Sequence, residues 1–368
     1  QTEFSIEEDR ILTKGSAFFD LKKIAEFQPD IIFMLDHFRY ENRFLDGMDG
    51  VVCVCWIQDT LPWIFSKETA LKQKERDVVI SIFWNWEGFQ KIGYREDRLL
   101  QSPMVANSEI YHPYALRQKE KKQYGCDICF VCHWFDADSH TKQYAEQFPE
   151  GVREYVQDLY WSYRDYVRST EHIFMKLEEF QLFIHSFFTQ FYKIEVREEF
   201  LAQLAEDMRT SLNMRLYREL LVDWLIDAGY DNIKLWGNGW GDKEKFKPYA
   251  MGPAQNGETL SKIFQASKIV VGNNIALSGA SRVAEAMLSG AFYMANYIPP
   301  EADTCNIRDW LKEGDEIVFF KDKEDFLNKV HFYLEHEEER TRMAEIGRKK
   351  ALEKLTYQKF MENSIKEM

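Results

Sequence analysis

The sequence has little of what marks several large classes of protein. It has no uncharged apolar run of the roughly 20 residues that a membrane-spanning helix needs, because its most apolar runs, at 30–35 and 50–56, are far shorter. Its 6 cysteines in 368 residues are too few for a disulfide framework. Its 47 basic and 61 acidic side chains leave a net charge of −14, which argues against a nucleic-acid partner. We therefore expect a cytoplasmic protein with no integral membrane segment.

Several motifs with a defined chemistry are also missing. There is no GxxxxGK[ST] phosphate-binding loop, no GxSxG and no HExxH, and the glycines at 237 and 239 lack the third glycine of a dinucleotide fingerprint. Cys126, Cys129, Cys132 and His133 have spacing similar to that of metal ligands. However, Cys129 lies in a predicted strand with alternating faces, and no second CxxC follows. We interpret the cysteines as buried thiols and predict no metal site.

The sequence does contain strands that alternate with helices, which indicates parallel α/β layers. Apolar runs predict strands at 31–35, 51–56, 78–84, 104–106, 127–131, 233–236, 269–271, 292–295 and 317–320. Residues 137–212 instead predict long helices, which either pack against the second domain or form a partner or acceptor surface. The C-terminal residues from 325 are predicted to be helical, with an interruption near Gly347.

The segment from Val271 to Arg282 has the design of a phosphate-binding turn. A strand ends, a loop of small residues follows, and a helix begins near Ser281, where N–H groups and a partial positive charge suit an anion. Gly279 allows a ligand near the backbone, Arg282 adds a cation, and Glu285 can accept two ribose hydroxyls. The alternative is a helix capped by Ser281 that carries an Arg–Glu surface pair and binds nothing.

A second turn, Gly237-Asn238-Gly239-Trp240, directly follows a predicted strand. Its glycines allow a ligand to come close, and Trp240 can stack on a base. The alternative is an ordinary turn without a ligand.

In the first half, Asp36 and His37 follow one strand and Asp59 follows the next, so all three fall at the same edge of the sheet. An Asp or His there can take a proton from an attacking hydroxyl. The alternative is helix capping by Asp36 and Asp59. The segment Asn85-Trp86-Glu87-Gly88 follows the third strand and can add polar contacts.

Residues 252–320 resemble the donor-binding domain of GT-B glycosyltransferases of group 1, and most of all the CgeB-like, spore-maturation branch. The resemblance rests on these residues: Gly252, Leu260, Ser267-Lys268-Ile269-Val270-Val271, Asn274, Ser281-Arg282, Glu285-Ala286-Met287, Gly290 and Glu313–Phe320. The segments 29–33 and 56–62 are similar to the family's first domain.

The resemblance implies an α/β fold of two Rossmann-like domains that face a cleft, with the helical insertion in the second. The domains would be residues 1–122 on the acceptor side and 123–345 on the nucleotide-sugar side, with the helix 346–368 packing back on the first. It implies a metal-independent glycosyltransferase that needs no cofactor. The donor would be a UDP-, GDP- or dTDP-sugar, and the acceptor a saccharide, protein or small molecule with a hydroxyl group.

The resemblance also implies roles for particular residues. Glu285 would hold the donor ribose, Arg282 would face the diphosphate, and Arg215 is a weaker match to a basic residue near the phosphates. The turns at 237–239 and 278–281 would lie beside the nucleotide. The residues predicted to bind the donor are Arg215, Gly237, Asn238, Gly239, Asn274, Ser278, Gly279, Ser281, Arg282 and Glu285.

Three departures from the family's pattern leave other functions open. Many relatives have a second acid eight residues before the ribose acid, where this chain has Leu277. The helical insertion is absent from the common pattern, and the family's first strand with its glycine-rich loop is not evident. The alternatives are a sugar-nucleotide epimerase and a non-catalytic binding or scaffold module that uses the insertion. The oligomeric state is left open.

Overall fold

The structure is a computed structural model that describes residues 22–59, 61, 63–82 and 86–367. The expectations for residues 1–21, for Thr60 and Pro62, and for residues 83–85 lie outside this range. The chain forms two compact units, one of residues 1–102 with 364–368 and one of residues 103–363. The domain boundaries at 122 and 345, and the cleft between the domains, stay predictions.

The first unit is built on a four-stranded parallel sheet in the order β1-β2-β3-β4. The strands are β1 Ile31–Leu35, β2 Val52–Ile57, β3 Asp77–Ser81 and β4 Leu99–Gln101. Nearly all side chains of β2 and β3 are buried, as apolar strands inside a parallel layer should be. The fourth strand predicted at 104–106 is wrong. Residues 99–101 pair with β3, and Ala106 forms only an isolated bridge with Thr356.

Short helices connect these strands. Residues 22–27 are helical, and the helices that follow are α1 Arg43–Asp46, α2 Lys67–Leu71 and α3 Trp86–Ile92, with 3-10 turns at Arg39–Glu41 and Glu96–Arg98. Side chains of Asn42 and Ser66 cap α1 and α2 by accepting backbone N–H groups of the first turn. The buried Arg39 donates to Asp77 at 2.6 Å and to the carbonyls of Met48 and Val51, so its charge is fully paired.

The second unit contains a six-stranded parallel sheet in the order β10-β9-β8-β5-β6-β7. Its strands are β5 Cys126–Val131, β6 Ile233–Trp236, β7 Ala250–Gly252, β8 Ser267–Gly272, β9 Tyr293–Asn296 and β10 Val318–Phe320. The two sheets confirm the predicted α/β fold class. The strand order reverses between β5 and β8, and ligands of open parallel sheets bind at the carboxyl ends of strands at such a point.

The region from 137 to 212 is helical, as predicted. Helix α4 Gln118–Tyr124 precedes β5. The region itself contains α5 Ala137–Ala145, α6 Glu150–Thr170, α7 Leu177–Phe187 and α8 Glu198–Asp207, with π-helical turns at Phe188–Tyr192 and Met208–Leu212, and α9 Asn213–Asp227 follows it. Their buried side chains share one core with the second sheet, so the insertion packs against this unit. In this region Ile173, Phe180, Ile184 and Phe187 are buried, whereas Leu177 and Phe191 are exposed.

The remaining elements lie in the second unit, apart from the end of the last helix, which belongs to the first unit. They are α10 Glu258–Ala266, α11 Ser281–Leu288, α12 Lys323–Glu335, α13 Glu337–Lys354 and α14 Tyr357–Glu367, with 3-10 turns at Trp240–Asp242, Lys247–Tyr249 and Ile307–Asp309. The predicted interruption near Gly347 is wrong, because this glycine lies inside α13. A Cβ there would lie 2.8 Å from Met287 Cε and 2.9 Å from the carbonyl of Glu316, so glycine allows close packing. Among the described helices, none combines the length and apolarity required to cross a bilayer.

Candidate functional site

The candidate site lies where β5 and β8 end side by side. Cys132 and His133 follow β5, and Asn273 follows β8. The amide of Asn273 donates to the sulfur of Cys132 at 2.9 Å, which joins the two strand ends. These residues therefore form the edge at which a parallel sheet of this order presents a ligand site.

Helix α9 brings Arg218 to this edge. Its Nη1 donates to the carbonyl of His133 at 2.7 Å and its Nε to Asn273 Oδ1 at 3.3 Å. Burial raises the pKa of the Cys132 thiol, and the positive charges of Arg218 and Arg282 oppose that rise, which indicates that both cations lie near this sulfur. The sequence analysis missed Arg218. The only signal was its position three residues after Arg215 on an amphipathic helix.

Arg215 lies on the same face of α9, one turn earlier. Its Nη1 donates to the carbonyl of Ser211 at 2.6 Å, and its guanidinium lies 5.8 Å from the ring centre of the exposed Phe135. Its Nε is buried and has no partner among the described residues. Burial lowers the pKa of Arg215, the negative charge of Asp207 opposes this, and Arg218 adds to the lowering. An anion between the two arginines would relieve that repulsion.

Arg282 approaches from the start of α11. It forms an ion pair with Glu285, the residue expected to hold the ribose. This Arg–Glu pair is the one described above as needing no ligand, and both side chains are at least partly accessible, at 37% for Arg282 and 12% for Glu285. The predicted cap is wrong in one respect. Ala280 occupies the cap position without a side-chain bond, and Ser281 is the first helical residue.

The turn before α11 is packed against the chain. The N–H of Ser278 donates to Asp303 Oδ1 at 2.9 Å and the N–H of Gly279 to the carbonyl of Cys305 at 2.7 Å. A Cβ at Gly279 would lie 2.5 Å from Cys305 Sγ, so the space expected for a ligand is filled by protein. The N–H groups of Ser281 and Arg282, in the first turn of α11, have no acceptor within the helix.

Asn274, also predicted to bind the donor, shapes the beginning of the same loop. Its Oδ1 accepts from the N–H groups of Ala276 and Leu277 at 3.1 and 3.2 Å. The side-chain oxygen therefore stabilises an Asx-type turn. A contact between Asn274 and a donor stays a prediction.

The turn at 237–240 also packs against the protein itself. Gly237 and Gly239 have φ of +132° and +87°, and a Cβ at either would lie about 2 Å from a carbonyl oxygen, that of Cys132 (2.1 Å) or Trp134 (1.9 Å). Trp240 is fully buried and donates to the carbonyl of Cys132 at 2.7 Å. The expectation that Trp240 stacks on a base is therefore wrong. The glycines allow the turn to approach residues 132–134.

Asn238 holds His133 through its backbone. Its N–H donates to His133 Nδ1 at 2.9 Å, and its carbonyl accepts from the N–H of Trp134 at 2.9 Å. With Nδ1 as acceptor, we assign the proton of the neutral imidazole to Nε2. His133 is exposed, and no residue that the structure describes accepts a hydrogen bond from Nε2. His133 thus presents a further N–H donor, Nε2–H, at the edge where Arg218 lies.

The candidate bases lie at the corresponding edge of the first sheet. Asp36 and Asp59 come together as predicted, because Asp36 Oδ1 accepts from the N–H groups of Gln58 and Asp59 at 2.7 and 3.1 Å. Asp36 thus binds the backbone of the loop that follows β2 and not the N-terminus of a helix, so the helix-capping alternative is wrong for this residue. His37 Nδ1 contacts Glu41 Oε2 at 2.7 Å. Asp59 is exposed. Their catalytic roles stay predictions.

No cluster of three or more His, Cys, Asp or Glu side chains suited to a metal occurs within the part of the chain that the structure describes. Cys126 and Cys129 are buried, and Cys126 Sγ lies 3.5 Å from Ser267 Oγ.

The chain is similar to known proteins in part of its sequence and in its fold. Residues 209–366 match the family described as glycosyl transferase-like. This segment includes Arg215, Arg218 and Arg282. Sucrose-phosphate synthase from Thermosynechococcus elongatus is similar in fold, with a TM-score of 0.50, 9% identity, and coverage of 96% of this chain and 77% of that one. A comparison with curated proteins gives no match.

Two further solved structures are similar at lower scores. A glycosyltransferase from Rickettsia africae has a TM-score of 0.49 and 9% identity, covering 99% of this chain and 83% of that one. HepE of Anabaena, in complex with UDP and glucose, has a TM-score of 0.47 and 12% identity, covering 97% and 84%. The CgeB-like branch stays a prediction. The chain has two parallel α/β sheets, consistent with the GT-B fold, and its residues 209–366 match the family described as glycosyl transferase-like.

Proposed function

We propose that this protein is a glycosyltransferase that moves a sugar from a nucleoside-diphosphate donor to a hydroxyl group of an acceptor. The observation that carries the proposal is Arg218, which donates to the carbonyl of His133 after β5 and to the side chain of Asn273 after β8, with Arg215 one turn earlier on α9 and Arg282 in the first turn of α11. Two of these cations lie on α9 and one opens α11, within the segment that matches the glycosyl transferase-like family.

The chemistry follows from the charge that develops when the sugar leaves. The bond between the sugar and the diphosphate breaks, and the leaving oxygen takes up negative charge. Arg218, Arg282 and the N–H groups that begin α11 stabilise this charge, because fixed donors need no reorganisation as it forms. In this proposal the arginines replace a metal, and no cofactor takes part.

Glu285 and Arg282 must exchange partners for this to occur. In the structure the guanidinium and the carboxylate satisfy each other. When a donor binds, Arg282 turns to the diphosphate and Glu285 accepts the ribose hydroxyls, so that each charge stays paired. Since Arg282 is partly exposed, this change leaves no buried charge unpaired.

The acceptor must lose a proton as its oxygen attacks the sugar. We propose Asp59 as the base, because its side chain is exposed whereas Asp36 Oδ1 already accepts two backbone N–H groups. Asp36 then fixes the turn that carries Asp59 and is a positioning residue. The acceptor's class, a saccharide, a protein or a small molecule, and a cytoplasmic location belong to the same proposal.

Binding measurements test the donor site directly. We expect calorimetry to show binding of UDP, GDP or dTDP, and Arg218→Ala to weaken it by about 30-fold, since a charge-assisted contact to phosphate contributes roughly 2 kcal/mol. Arg342→Ala is the matched control, because Arg342 pairs with Glu339 on an exposed helix. The proposal fails if none of the three nucleotides binds, or if both variants bind as well as the wild type.

A non-catalytic binding module is the second candidate, because Leu277 stands where many relatives have a second acid. It predicts that the nucleotide-sugar binds at the arginines and is recovered unchanged. Mass spectrometry of the donor after incubation with the protein separates the candidates. Donor hydrolysis or transfer supports the first, unchanged donor supports the second, and a donor epimerised without an acceptor would contradict both.

A further inference from the structure

A buried carboxylate lies directly behind the turn that precedes α11. The side chain of Asp303 is fully buried. Its Oδ1 accepts from the N–H of Ser278 at 2.9 Å and from the N–H of Cys305 at 3.3 Å, and its Oδ2 accepts from the Ser278 hydroxyl. Arg308 Nη2, at 3.7 Å, is the cation beside it. The sequence analysis attached no role to this residue.

Further bonds join the same two segments. Ser278 Oγ accepts from the N–H of Ile307 at 2.9 Å, and the N–H of Gly279 donates to the carbonyl of Cys305. Both the N–H and the hydroxyl of Thr304 donate to the carbonyl of Ala276, at 2.9 and 2.8 Å. The loop before α11 is therefore shaped by residues 303–307, and the N–H groups of residues 278 and 279 are already used.

The segment that carries Asp303 is itself held at both ends. Before it, Glu301 forms an ion pair with Lys176 of the helical insertion. After it, Arg308 donates to the carbonyl of Ile298, and its guanidinium lies 4.5 Å from the ring centre of Tyr297. Contacts on both sides of Asp303 therefore restrain the segment that carries it.

A charged group in this place costs free energy. Burial raises the pKa of Asp303, against the effect of its hydrogen bonds to Ser278 and Cys305 and of the charge of Arg308. A neutral residue would avoid that cost. What an ionised carboxylate offers is acceptor capacity alone, and the three groups that face it are all donors. An asparagine would direct N–H groups towards one or two of them.

We propose that Asp303 is a positioning residue for the donor diphosphate: by fixing Ser278 and Gly279, it sets the direction in which the N–H groups of Ser281 and Arg282 face the phosphates. The inference rests on the proposed function and deepens it. It assigns Asp303 no contact with the ligand.

The test compares Asp303→Asn with Asp309→Asn, which makes the same change of charge at an exposed residue of the same segment. The wild type is first tested with UDP, GDP and dTDP. The nucleotide that it binds most tightly is then used as the probe, together with the corresponding nucleoside. We expect Asp303→Asn to weaken binding of the diphosphate by about tenfold, because the loss of positioning affects several weak donors at once. Binding of the nucleoside should stay unchanged. The melting temperature of the unliganded protein should stay unchanged or rise. Asp309→Asn changes neither affinity.

Three results would overturn the inference. One is that Asp303→Asn binds the diphosphate within twofold of the wild type. Tighter binding would overturn it as well, because that is the effect of simply removing a negative charge near an anion. Another is equal weakening for the nucleoside and the diphosphate. The third is a lower melting temperature with unchanged affinity, which shows a purely structural role. If the wild type binds none of the diphosphates, it is the proposed function that fails.

Should Asp303→Asn not fold, Ser278→Ala gives a second measurement. It removes the hydroxyl donor to Asp303 and keeps the backbone N–H donor. We expect a weakening in the same direction for the diphosphate alone. No change in its affinity would count against the inference.

Discussion

The carboxyl edges of the two sheets share one topology and differ in chemistry. In both, neighbouring parallel strands end side by side and are followed by polar residues. At the first edge, Asp36 uses its carboxylate on the backbone of the next loop, and its own φ of +54° shows that the turn is tight. At the second edge, Arg218 donates to residues that follow both strands, and Arg215 keeps a buried N–H that has no partner among the described residues. Parallel topology thus locates a site, and the side chains decide whether it binds a ligand or completes a turn.

The largest expected effect is on the free energy of unfolding, for a substitution of Gly237 at the second edge. We expect Gly237→Ala to lower the free energy of unfolding by about 3 kcal/mol or more, because φ is positive and the new Cβ meets the backbone of Cys132. Gly241→Ala is the matched control, since nothing lies within 4 Å of a Cβ there. Denaturant unfolding measures both. Similar stabilities would mean that the turn can move away from residues 132–134.

The next largest expected effect is on kcat, and it distinguishes the two acids of the first edge. We expect Asp59→Asn to lower kcat by about 100-fold if Asp59 accepts the proton, because general-base catalysis contributes on this scale. Asp36→Asn keeps an oxygen that can accept the N–H groups of residues 58 and 59, so its effect should be several-fold smaller. Transfer assays at saturating donor give both values. A larger loss for Asp36→Asn would reverse the two roles.

The smallest expected effect is on the pH dependence of stability, at Asp303. Burial raises its pKa in the folded protein above the ordinary value. Its contribution to stability is therefore complete below the ordinary pKa of an aspartate and is lost as the pH rises through the raised value. Asp303→Asn removes this loss, so its stability relative to the wild type should grow as the pH rises through that window. Urea unfolding at several pH values measures the difference, and a constant difference would contradict the assignment.

Local patterns in the sequence predicted most elements of the second sheet. The strands predicted at 233–236 and 269–271, the helix that begins at Ser281 and the helical region 137–212 all occur. Gly229 and Gly290 follow the ends of α9 and α11 with positive φ, as helix-ending glycines do. Where the prediction was wrong, at 104–106 and at Gly347, a partner distant in sequence decided the outcome. Residues 99–101 took the edge of β3, and Met287 left room only for a glycine.

The candidate site was predicted less completely. Arg215, Arg282 and Glu285 were predicted, and the structure shows where each of them lies. Arg218 and Asp303 were not singled out as ligand-site residues, because their neighbours carry no motif, and His133 was considered only as a metal ligand and set aside. The glycines of both turns were interpreted as space for a ligand, whereas the structure uses that space for residues 132–134 and for Cys305.

By itself, the order of apolar and polar residues determined two parallel α/β layers and a helical insertion, because the period of a strand or helix is a property of a few neighbouring residues. Only the tertiary structure decided that Arg218 meets His133 across 85 residues and that Asp303 meets Ser278 across 25. Such contacts depend on how whole elements pack, and packing depends on side chains that are far apart in the chain.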